Sequence, residues 1–216
     1  MPKPPVLTIF AGPNGSGKST LTRQIKADGF ALGTYINADD IASEMFAEAV
    51  GRGERVERSA FEVPAFWEAD QRRNVCVERG EDFAFETVFS HPSKLELIAR
   101  AKASGFVVRL YFVTTESPLV NIARVRKRVA EGGHPVPEDK VIARYRRAMS
   151  QLATACTLVD EAVMFDNSGL TMRAVAQITW TDGAAAIHLI RPVPGWISTW
   201  ANEIAPMIGA KRAQRR

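Results

Sequence analysis

The sequence contains few of the residues that hold disulfide-rich and zinc-binding proteins together. Among 216 residues there are two cysteines, Cys76 and Cys156, and three histidines. The cysteines lie far apart in the chain, and neither belongs to a C-x-x-C motif or a Cys/His cluster. Disulfide scaffolds and structural zinc sites need several such ligands at close spacing, so the composition disfavours both and is typical of a reducing compartment.

Long apolar runs are also missing. No stretch approaches the ~20 apolar residues that a membrane-spanning helix needs. The first residues, Met-Pro-Lys-Pro-Pro, lead directly into a short apolar run without the pattern of a secretory leader. We therefore expect a cytoplasmic protein without a membrane partner. The remaining composition, 46% hydrophobic and 24% charged with a net charge of +4, suits a globular α/β domain with room for a small appendage.

The most specific motif lies in residues 6–21. The apolar run from Val6 to Phe10 predicts a buried strand, and the residues after it match the phosphate-loop pattern G-x-x-x-x-G-K-S/T. Glycines in such a loop let successive N–H groups point at phosphate oxygens, while Lys18 supplies a positive charge and Ser19 can bind Mg²⁺. The motif predicts a nucleotide triphosphate site, with Ser19 as the metal ligand, formed by Gly12, Pro13, Asn14, Gly15, Ser16, Gly17, Lys18, Ser19 and Thr20.

Strand and helix patterns alternate after this loop. Four further strands are predicted by apolar runs at residues 33–37, 83–85, 106–113 and 162–166. A long helix over 56–79, kinked at Pro64, is also expected. We predict an α/β fold with a P-loop nucleotide-kinase-like parallel sheet of five strands and helices on both faces. This core would occupy residues 1–170, with a helical lid around 117–155. Residues 171–216 would add a β-hairpin, a short helix and a basic tail, packed on the core or appended to it.

Polar residues follow the second and third predicted strands: Asn37 and Asp39 after one, Glu86 and Thr87 at the end of the other. Ligands of open parallel sheets bind beyond the carboxyl ends of the strands. These four residues should therefore line a crevice beside the phosphate loop if the three strands are neighbours. A kinase that phosphorylates a hydroxyl needs a carboxylate to orient it and accept its proton. Since the chain also lacks the Asn-Lys-x-Asp sequence that reads guanine, the pattern favours an ATP-dependent small-molecule kinase over a GTP switch.

Arginines are concentrated in two predicted helices on either side of Gly132-Gly133. Arg124 and Arg128 share one face of the first helix, and Arg126 points elsewhere. Arg144 lies in the second helix. Phosphoryl transfer needs cations that close over the γ-phosphate as its charge redistributes. We expect the two helices to form a mobile lid that brings arginines onto the nucleotide.

Each of these residues also has a purely structural interpretation. Asp39 or Asp40 could cap the following helix, because aspartate is a preferred N-cap residue. Glu86 could be a solvated strand end, the individual lid arginines could be surface residues, and His134 could simply order its loop. From the residues alone, these alternatives stay open.

Four segments taken together resemble the zeta-toxin family of P-loop kinases. They are GPNGSGKST at 12–20, INADDIA at 36–42, FETVFS at 85–90 and EGGHPVP at 131–137, in matching order over residues 6 to about 168. The Gly-Gly-His lid is similar to that of a chromosomal branch of the family. The resemblance implies transfer of the ATP γ-phosphate to a sugar hydroxyl, with UDP-N-acetylglucosamine as the best-known acceptor. It also implies a small antitoxin protein as a partner.

The same resemblance implies roles for individual residues. Asp39 would be the catalytic base, and Glu86 would help to bind the substrate. Lid arginines would clamp the phosphates, which assigns Arg128 and Arg144 to catalysis together with Lys18. Arg124 would be a third candidate for binding the nucleotide.

Three other functions compete with this interpretation. An antibiotic or other metabolite O-phosphotransferase would share Lys18 and Asp39 and differ around Glu86 and residues 56–79. A polynucleotide 5′-hydroxyl kinase would suit the positive net charge, but no series of aromatic residues interleaves the basic clusters, so nucleic acid is the less favoured partner. A protein-binding module that uses ATP only to order its surface would bind the nucleotide and transfer nothing.

Overall fold

The apolar runs form seven strands of one sheet in a computed structural model that describes residues 3–133, 135–181 and 184–214. The strands are β1 (Val6–Ala11), β2 (Thr34–Ile36), β3 (Phe83–Thr87), β4 (Val107–Thr114), β5 (Glu161–Asp166), β6 (Arg173–Thr181) and β7 (Ala184–Leu189). Their order in the sheet is β2-β3-β1-β4-β5-β6-β7. The first five strands are parallel, as predicted, and β6 and β7 pair antiparallel.

In the part of the chain that the structure describes, seven α-helices connect and cover these strands. They are α1 (Lys18–Ala27), α2 (Ala38–Gly51), α3 (Glu62–Arg79), α4 (Ser93–Ala103), α5 (Pro118–Ala130), α6 (Glu138–Leu158) and α7 (Gly195–Gln214). Local signals set several of their ends. The Ser117 side chain accepts the Leu119 N–H at the start of α5, where Pro118 takes the first helical position, and Gly80 ends α3 in the left-handed conformation. None of the described helices is long and apolar enough to span a membrane.

The sheet buries apolar side chains on both of its faces. On one face α1 contributes Leu21, which packs with Phe10 and Val113. The larger core lies on the other face, where α2, α3, α4, α6 and α7 all contribute buried residues. Strands covered on both faces by helices read as nearly continuous apolar runs, which explains why the parallel strands were recognisable in the sequence.

The strand order brings the functional segments to one edge of the sheet. Strand β3 lies between β1 and β2, with Phe10 opposite Glu86 and Ile36 opposite Phe85. The three strands are therefore neighbours, as the crevice prediction required. Because they run parallel, the phosphate loop after β1, the segment after β2 and the end of β3 all emerge at the same edge.

Three sequence predictions need correction. The sheet has seven strands rather than five, because β6 of the predicted hairpin pairs with β5 and β7 pairs with β6. The expected kinked helix over 56–79 is instead a 3-10 turn (Arg58–Phe61) followed by α3. Pro64 then lies in the first turn of α3, where its missing N–H breaks no hydrogen bond. The final helix is not short, since α7 continues to Gln214.

Two predicted features fall on residues that are not described. They are His134 in the lid loop and the tip of the hairpin turn at residues 182–183.

Candidate functional site: a phosphate loop facing two carboxylates and a basic lid

The loop between β1 and α1 has a backbone that favours glycine at three positions, Gly12, Gly15 and Gly17. Gly12 has a φ of 145°, and a Cβ there would lie 2.0 Å from the carbonyl oxygen of Val113. Gly17 has a φ of 102°, and its Cβ would lie 2.4 Å from Nδ2 of Asn167. The Ser16 hydroxyl is buried, and no described residue is its hydrogen-bond partner. An unpaired buried hydroxyl is unfavourable, and a phosphate oxygen in the loop would relieve it, so these residues fit a bound polyphosphate.

Lys18 opens α1, and its ammonium group donates to the Pro13 carbonyl over 3.0 Å. Desolvation lowers the pKa of Lys18 to about 8, which outweighs the opposing effect of the Glu86 and Asp39 charges. The positive charges of Arg128 and Arg144 lower it further. The four charged groups predicted from the sequence therefore all act on one ammonium group. A bound anion would favour its charged form again.

Three side chains from other elements hold the outside of the loop. Nδ2 of Asn121 donates to the Asn14 carbonyl over 2.6 Å, and Nδ2 of Asn167 donates to the Ser16 carbonyl over 2.8 Å. Arg144 reaches the Asn14 side chain at 3.3 Å. The sequence prediction missed both Asn121 and Asn167. A signal existed for Asn167, because it directly follows β5 at the same carboxyl edge as the other site residues.

The remaining loop positions have more local contacts. A Cβ on Gly15, whose φ is 74°, would lie 2.6 Å from the Asn121 carbonyl oxygen. Thr20 is exposed in the first turn of α1, and its N–H donates to Gly17. The whole predicted segment from Gly12 to Thr20 thus belongs to one loop and helix start.

The residue that caps α2 is Asn37. Its side-chain oxygen accepts the Asp39 N–H at 3.0 Å, so Asp39 and Asp40 lie in the first turn rather than at the cap. The structural alternative that one of the two aspartates caps α2 is therefore wrong, and the Asp39 carboxylate is not used for capping. Burial, followed by the negative charges of Glu86 and Asp39, raises the pKa of Asp40. The first turn of α2 thus places the two carboxylates of Asp39 and Asp40 beside the phosphate loop.

Glu86 lies between two hydroxyl groups. Ser19 donates to one of its carboxylate oxygens at 2.8 Å, and Tyr35 donates to the other at 2.7 Å. Glu86 therefore contacts the predicted metal ligand directly, a relation that the sequence did not indicate. The sequence analysis also missed Tyr35. Burial and the charge of Glu86 raise the pKa of Tyr35, so its hydroxyl stays protonated and acts as a hydrogen-bond donor.

Thr87, at the end of β3, is engaged within the fold. Its hydroxyl accepts the N–H of Phe89 at 3.1 Å, and its carbonyl accepts the Gly12 N–H at 3.2 Å. Phe89 is fully buried with a φ of 59°, a strained conformation for a non-glycine residue. Thr87 thus ties the end of β3 to the phosphate loop.

The lid arginines separate into two groups. Arg128 and Arg144 approach Lys18, as their effect on its pKa indicates. Arg124 instead donates to the Gly169 carbonyl at 3.2 Å, in the loop after β5. Arg126 points away from the site, as predicted, and its exposed guanidinium pairs with Glu138 of α6 at 2.6 Å. The two lid helices are thus linked by an ion pair on their outer side.

The donor set suits a metal ion held mainly by a nucleotide. In the described part of the chain, no group of three or more His, Cys, Asp or Glu side chains could hold a metal by itself. Mg²⁺ typically keeps several waters and binds through one or two protein ligands plus substrate phosphates. The Ser19 hydroxyl, oriented by Glu86, fits that arrangement.

Comparison with known proteins agrees with this geometry. The sequence model of the family described as Zeta toxin matches residues 1–173. The chain belongs to the zeta-toxin family. An uncharacterized protein of Haemophilus influenzae is 32% identical over 137 residues, which is 63% of this zeta-toxin family chain and 90% of the relative.

Solved structures share the fold at low sequence identity. The AvrRxo1-ORF1:-ORF2 complex with ATP superposes with a TM-score of 0.68 at 14% identity, over 94% of this chain and 64% of the other. The PezAT chromosomal toxin–antitoxin system of Streptococcus pneumoniae gives a TM-score of 0.56 at 15% identity, over 79% and 72% of the two chains. The zeta-toxin family chain thus spans less than two thirds of the AvrRxo1 chain. These similarities establish the fold.

The family assignment confirms two of the sequence predictions. The fold is that of a P-loop kinase with a central sheet between helices, although the sheet has seven strands. The chain is accordingly an ATP-dependent kinase of the zeta-toxin family.

Proposed function

We propose that this kinase transfers the γ-phosphate of ATP to a hydroxyl group of a sugar nucleotide such as UDP-N-acetylglucosamine. The observation that carries the proposal is the arrangement around the phosphate loop, where Glu86 accepts a hydrogen bond from the Ser19 hydroxyl at 2.8 Å and Arg144 contacts Asn14 at 3.3 Å. The charges of Asp39, Glu86, Arg128 and Arg144 all act on Lys18 of the same loop. The carboxylates provide a site for a neutral acceptor hydroxyl, and the cations provide one for the phosphates.

The phosphate loop would bind the triphosphate. Lys18 would contact the β- and γ-phosphates, and the start of α1 would aim its N–H groups at the same anion. Mg²⁺, when bound, would neutralise charge on the phosphates. Ser19 would be its protein ligand. Glu86 would orient the Ser19 hydroxyl and help to position the acceptor at the same time, since its carboxylate lies between β2 and the loop.

Asp39 would orient the acceptor hydroxyl and accept its proton. As the hydroxyl oxygen bonds to the γ-phosphorus and the bond to the β–γ bridging oxygen breaks, the hydroxyl proton would move to an Asp39 carboxylate oxygen. The transition state of such transfers is loose, so the contribution of the carboxylate is mostly orientation, with proton uptake late. Asn37 and Thr87, at the ends of their strands, would shape the floor of the acceptor crevice.

The arginines would act on the phosphates from the lid. Arg144 already contacts the phosphate loop at Asn14, and Arg128 lies on the neighbouring helix. Closure about Gly132-Gly133 would bring both guanidinium groups onto the transferring phosphate. Arg124 would lie at the side of the nucleotide, where it links α5 to the loop after β5.

The identity of the acceptor can be tested with a panel. Purified protein and Mg·ATP would be incubated with UDP-sugars, an aminoglycoside and a 5′-hydroxyl oligonucleotide, and γ-phosphate transfer would be followed by mass. We expect phosphorylated UDP-sugar. Transfer to the aminoglycoside or to the oligonucleotide instead would replace the proposal with one of those kinases, and ATP binding without any transfer would favour a binding module.

We propose, further, that the kinase acts in the cytoplasm and is held inactive by an antitoxin protein. The fold similarity to PezAT, a toxin–antitoxin system, supports this partner. Production of the wild-type chain in a bacterial host should slow growth, whereas the Asp39→Asn variant should not. Equal growth of the two cultures at equal protein levels would refute a toxic role.

A further inference from the structure

The loop between β5 and β6 forms one side of the phosphate loop. Its first residue, Asn167, donates its N–H to the Thr114 carbonyl at 2.8 Å and its side-chain amide to the Ser16 carbonyl at 2.8 Å. The Asn167 amide and the Met172 methyl group fill the space where Gly17 would carry a Cβ, at 2.4 and 3.1 Å from that position. Because Asn167 is hydrogen-bonded to Ser16 and packs over Gly17, a displacement of Asn167 must move the phosphate loop or open a gap beside it.

Asp166, the residue before Asn167, is fixed by groups from three parts of the chain. Its carboxylate, only 10% exposed, accepts the Ser168 hydroxyl at 2.6 Å and the Trp196 indole N–H at 3.2 Å. Arg173 of β6 lies 3.8 Å from the other carboxylate oxygen and also donates to the Pro192 carbonyl. The hairpin and α7 are therefore anchored at the base of the loop that supports the phosphate site.

Trp196 lies beyond residues 1–173, the part of the chain that the family model matches. We propose that Trp196 is a positioning residue for the nucleotide, acting through Asp166 and Asn167 on the phosphate loop. This inference rests on the proposed function, since it requires ATP at that loop. By this route the C-terminal hairpin and α7 influence the affinity for ATP without contacting the nucleotide.

The physical reason is the orientation of a buried carboxylate. Ser168 and Trp196 both donate to Oδ1 of Asp166, and Arg173 lies 3.8 Å from Oδ2, so the carboxylate is held in one orientation directly before Asn167. Hydrogen bonds to charged groups are among the stronger ones, so loss of the indole donor leaves Oδ1 of Asp166 with the Ser168 hydroxyl alone and loosens both the carboxylate and the loop that follows it. The Asn167 amide would then lose its fixed approach to Ser16.

The same helix offers a matched control. Trp200, one turn further along α7, is 2% exposed, and its buried indole N–H has no hydrogen-bond partner among the described residues. Trp200 is buried and Trp196 is partly buried, so replacement of Trp200 by phenylalanine removes at least as much packing as replacement of Trp196. Only the Trp196 replacement removes a contact with the loop that supports the phosphate site.

The experiment compares ATP affinity with thermal stability. ATP dissociation constants would be measured by calorimetry, and melting temperatures by circular dichroism, for the wild type, Trp196→Phe, Trp200→Phe, Asn167→Ala and the Trp196→Phe/Asn167→Ala double variant. We expect Trp196→Phe to weaken ATP binding about threefold to tenfold, since a hydrogen bond to a charge is lost and only part of its effect reaches the ligand. Trp200→Phe should lower the melting temperature at least as much, with wild-type ATP affinity.

The double variant tests the route. If Trp196 acts through Asn167, the two substitutions together should weaken ATP binding no more than Asn167→Ala alone. Additive effects, or wild-type affinity in folded Trp196→Phe, would refute the inference, as would equal loss of affinity in Trp200→Phe. Because the measured quantity is ATP binding, a wild-type protein that binds ATP but phosphorylates no sugar nucleotide would refute the proposed acceptor and leave this result interpretable.

Discussion

Raising the pH should weaken ATP binding because Lys18 loses its proton. Desolvation holds the pKa of Lys18 at about 8 in the free protein. Phosphate oxygens around the ammonium group would raise that pKa in the complex, so binding above pH 8 must take up a proton. The protonated fraction of Lys18 with this pKa falls about eightfold between pH 7.5 and pH 9, so the dissociation constant of ATP should rise by the same factor. An eightfold change corresponds to slightly less than the ~1.4 kcal/mol of one pKa unit.

Weaker ATP binding at high pH would not be explained by unfolding that results from the titration of Lys18. The pKa of Lys18 is lowered by folding, from 10.5 to about 8, so between these values the unfolded chain binds more protons than the folded chain. The contribution of Lys18 to the free energy of unfolding therefore increases as the pH rises through this interval. Over this pH interval, the affinity for ATP should therefore fall while the contribution of Lys18 to the free energy of unfolding rises.

Calorimetry of Mg·ATP binding in buffers of different ionisation enthalpy would measure both the affinity and the proton uptake. Lys94 needs a control, because burial also lowers its pKa to about 8. Lys94→Met removes one of two cations beside Asp70 and leaves Arg73 hydrogen-bonded to that carboxylate at 3.0 Å. The pH profile should persist in Lys94→Met. A flat profile in the wild type, or one that disappears in Lys94→Met, would refute the role given to Lys18.

Two further substitutions have matched controls. Gly17→Ala should abolish measurable ATP binding, because the added Cβ would lie 2.4 Å from the Asn167 amide. Gly105→Ala, at a φ of 83° with open space around it, introduces only backbone strain and should bind ATP normally. Equal ATP binding by the two variants would contradict the account of the loop. Arg144→Met should reduce kcat by about 10³-fold, as loss of a transition-state arginine does, whereas Arg126→Met, which breaks an exposed ion pair with Glu138, should leave kcat unchanged. A similar kcat in the two variants would remove Arg144 from the proposed mechanism.

Much of the site could be predicted because its residues lie at positions fixed by local patterns. The glycines of the phosphate loop and the polar residues after β2 and β3 are recognisable from strand ends alone. The order of the strands turned these separate signals into one crevice. Asp39 and Glu86 are close to Lys18 because β3 lies between β1 and β2.

The missed residues depend on contacts between distant parts of the chain. Asn121 holds the loop from within α5, where an isolated asparagine gives no signal of such a role. Asn167 holds the loop from the end of β5, where its position was a signal but its contact with Ser16 was not predictable. The hairpin could be recognised, but an edge strand and a separate hairpin have the same alternation of residues, so its pairing with β5 was not predictable. A kink at Pro64 was predicted because the sequence does not show that α3 begins only at Glu62.

The most direct test of the central claim compares phosphoryl transfer by the wild type, Asp39→Asn and Asp40→Asn with Mg·ATP and UDP-N-acetylglucosamine. Both aspartates lie in the first turn of α2, so the two substitutions remove the same charge from the same turn. We predict that Asp39→Asn lowers kcat by about 10²-fold or more, the range of general-base catalysis, with little change in ATP affinity. Asp40→Asn should remain near wild type. An Asp39→Asn variant that turns over like the wild type would contradict the assignment of Asp39 as the base.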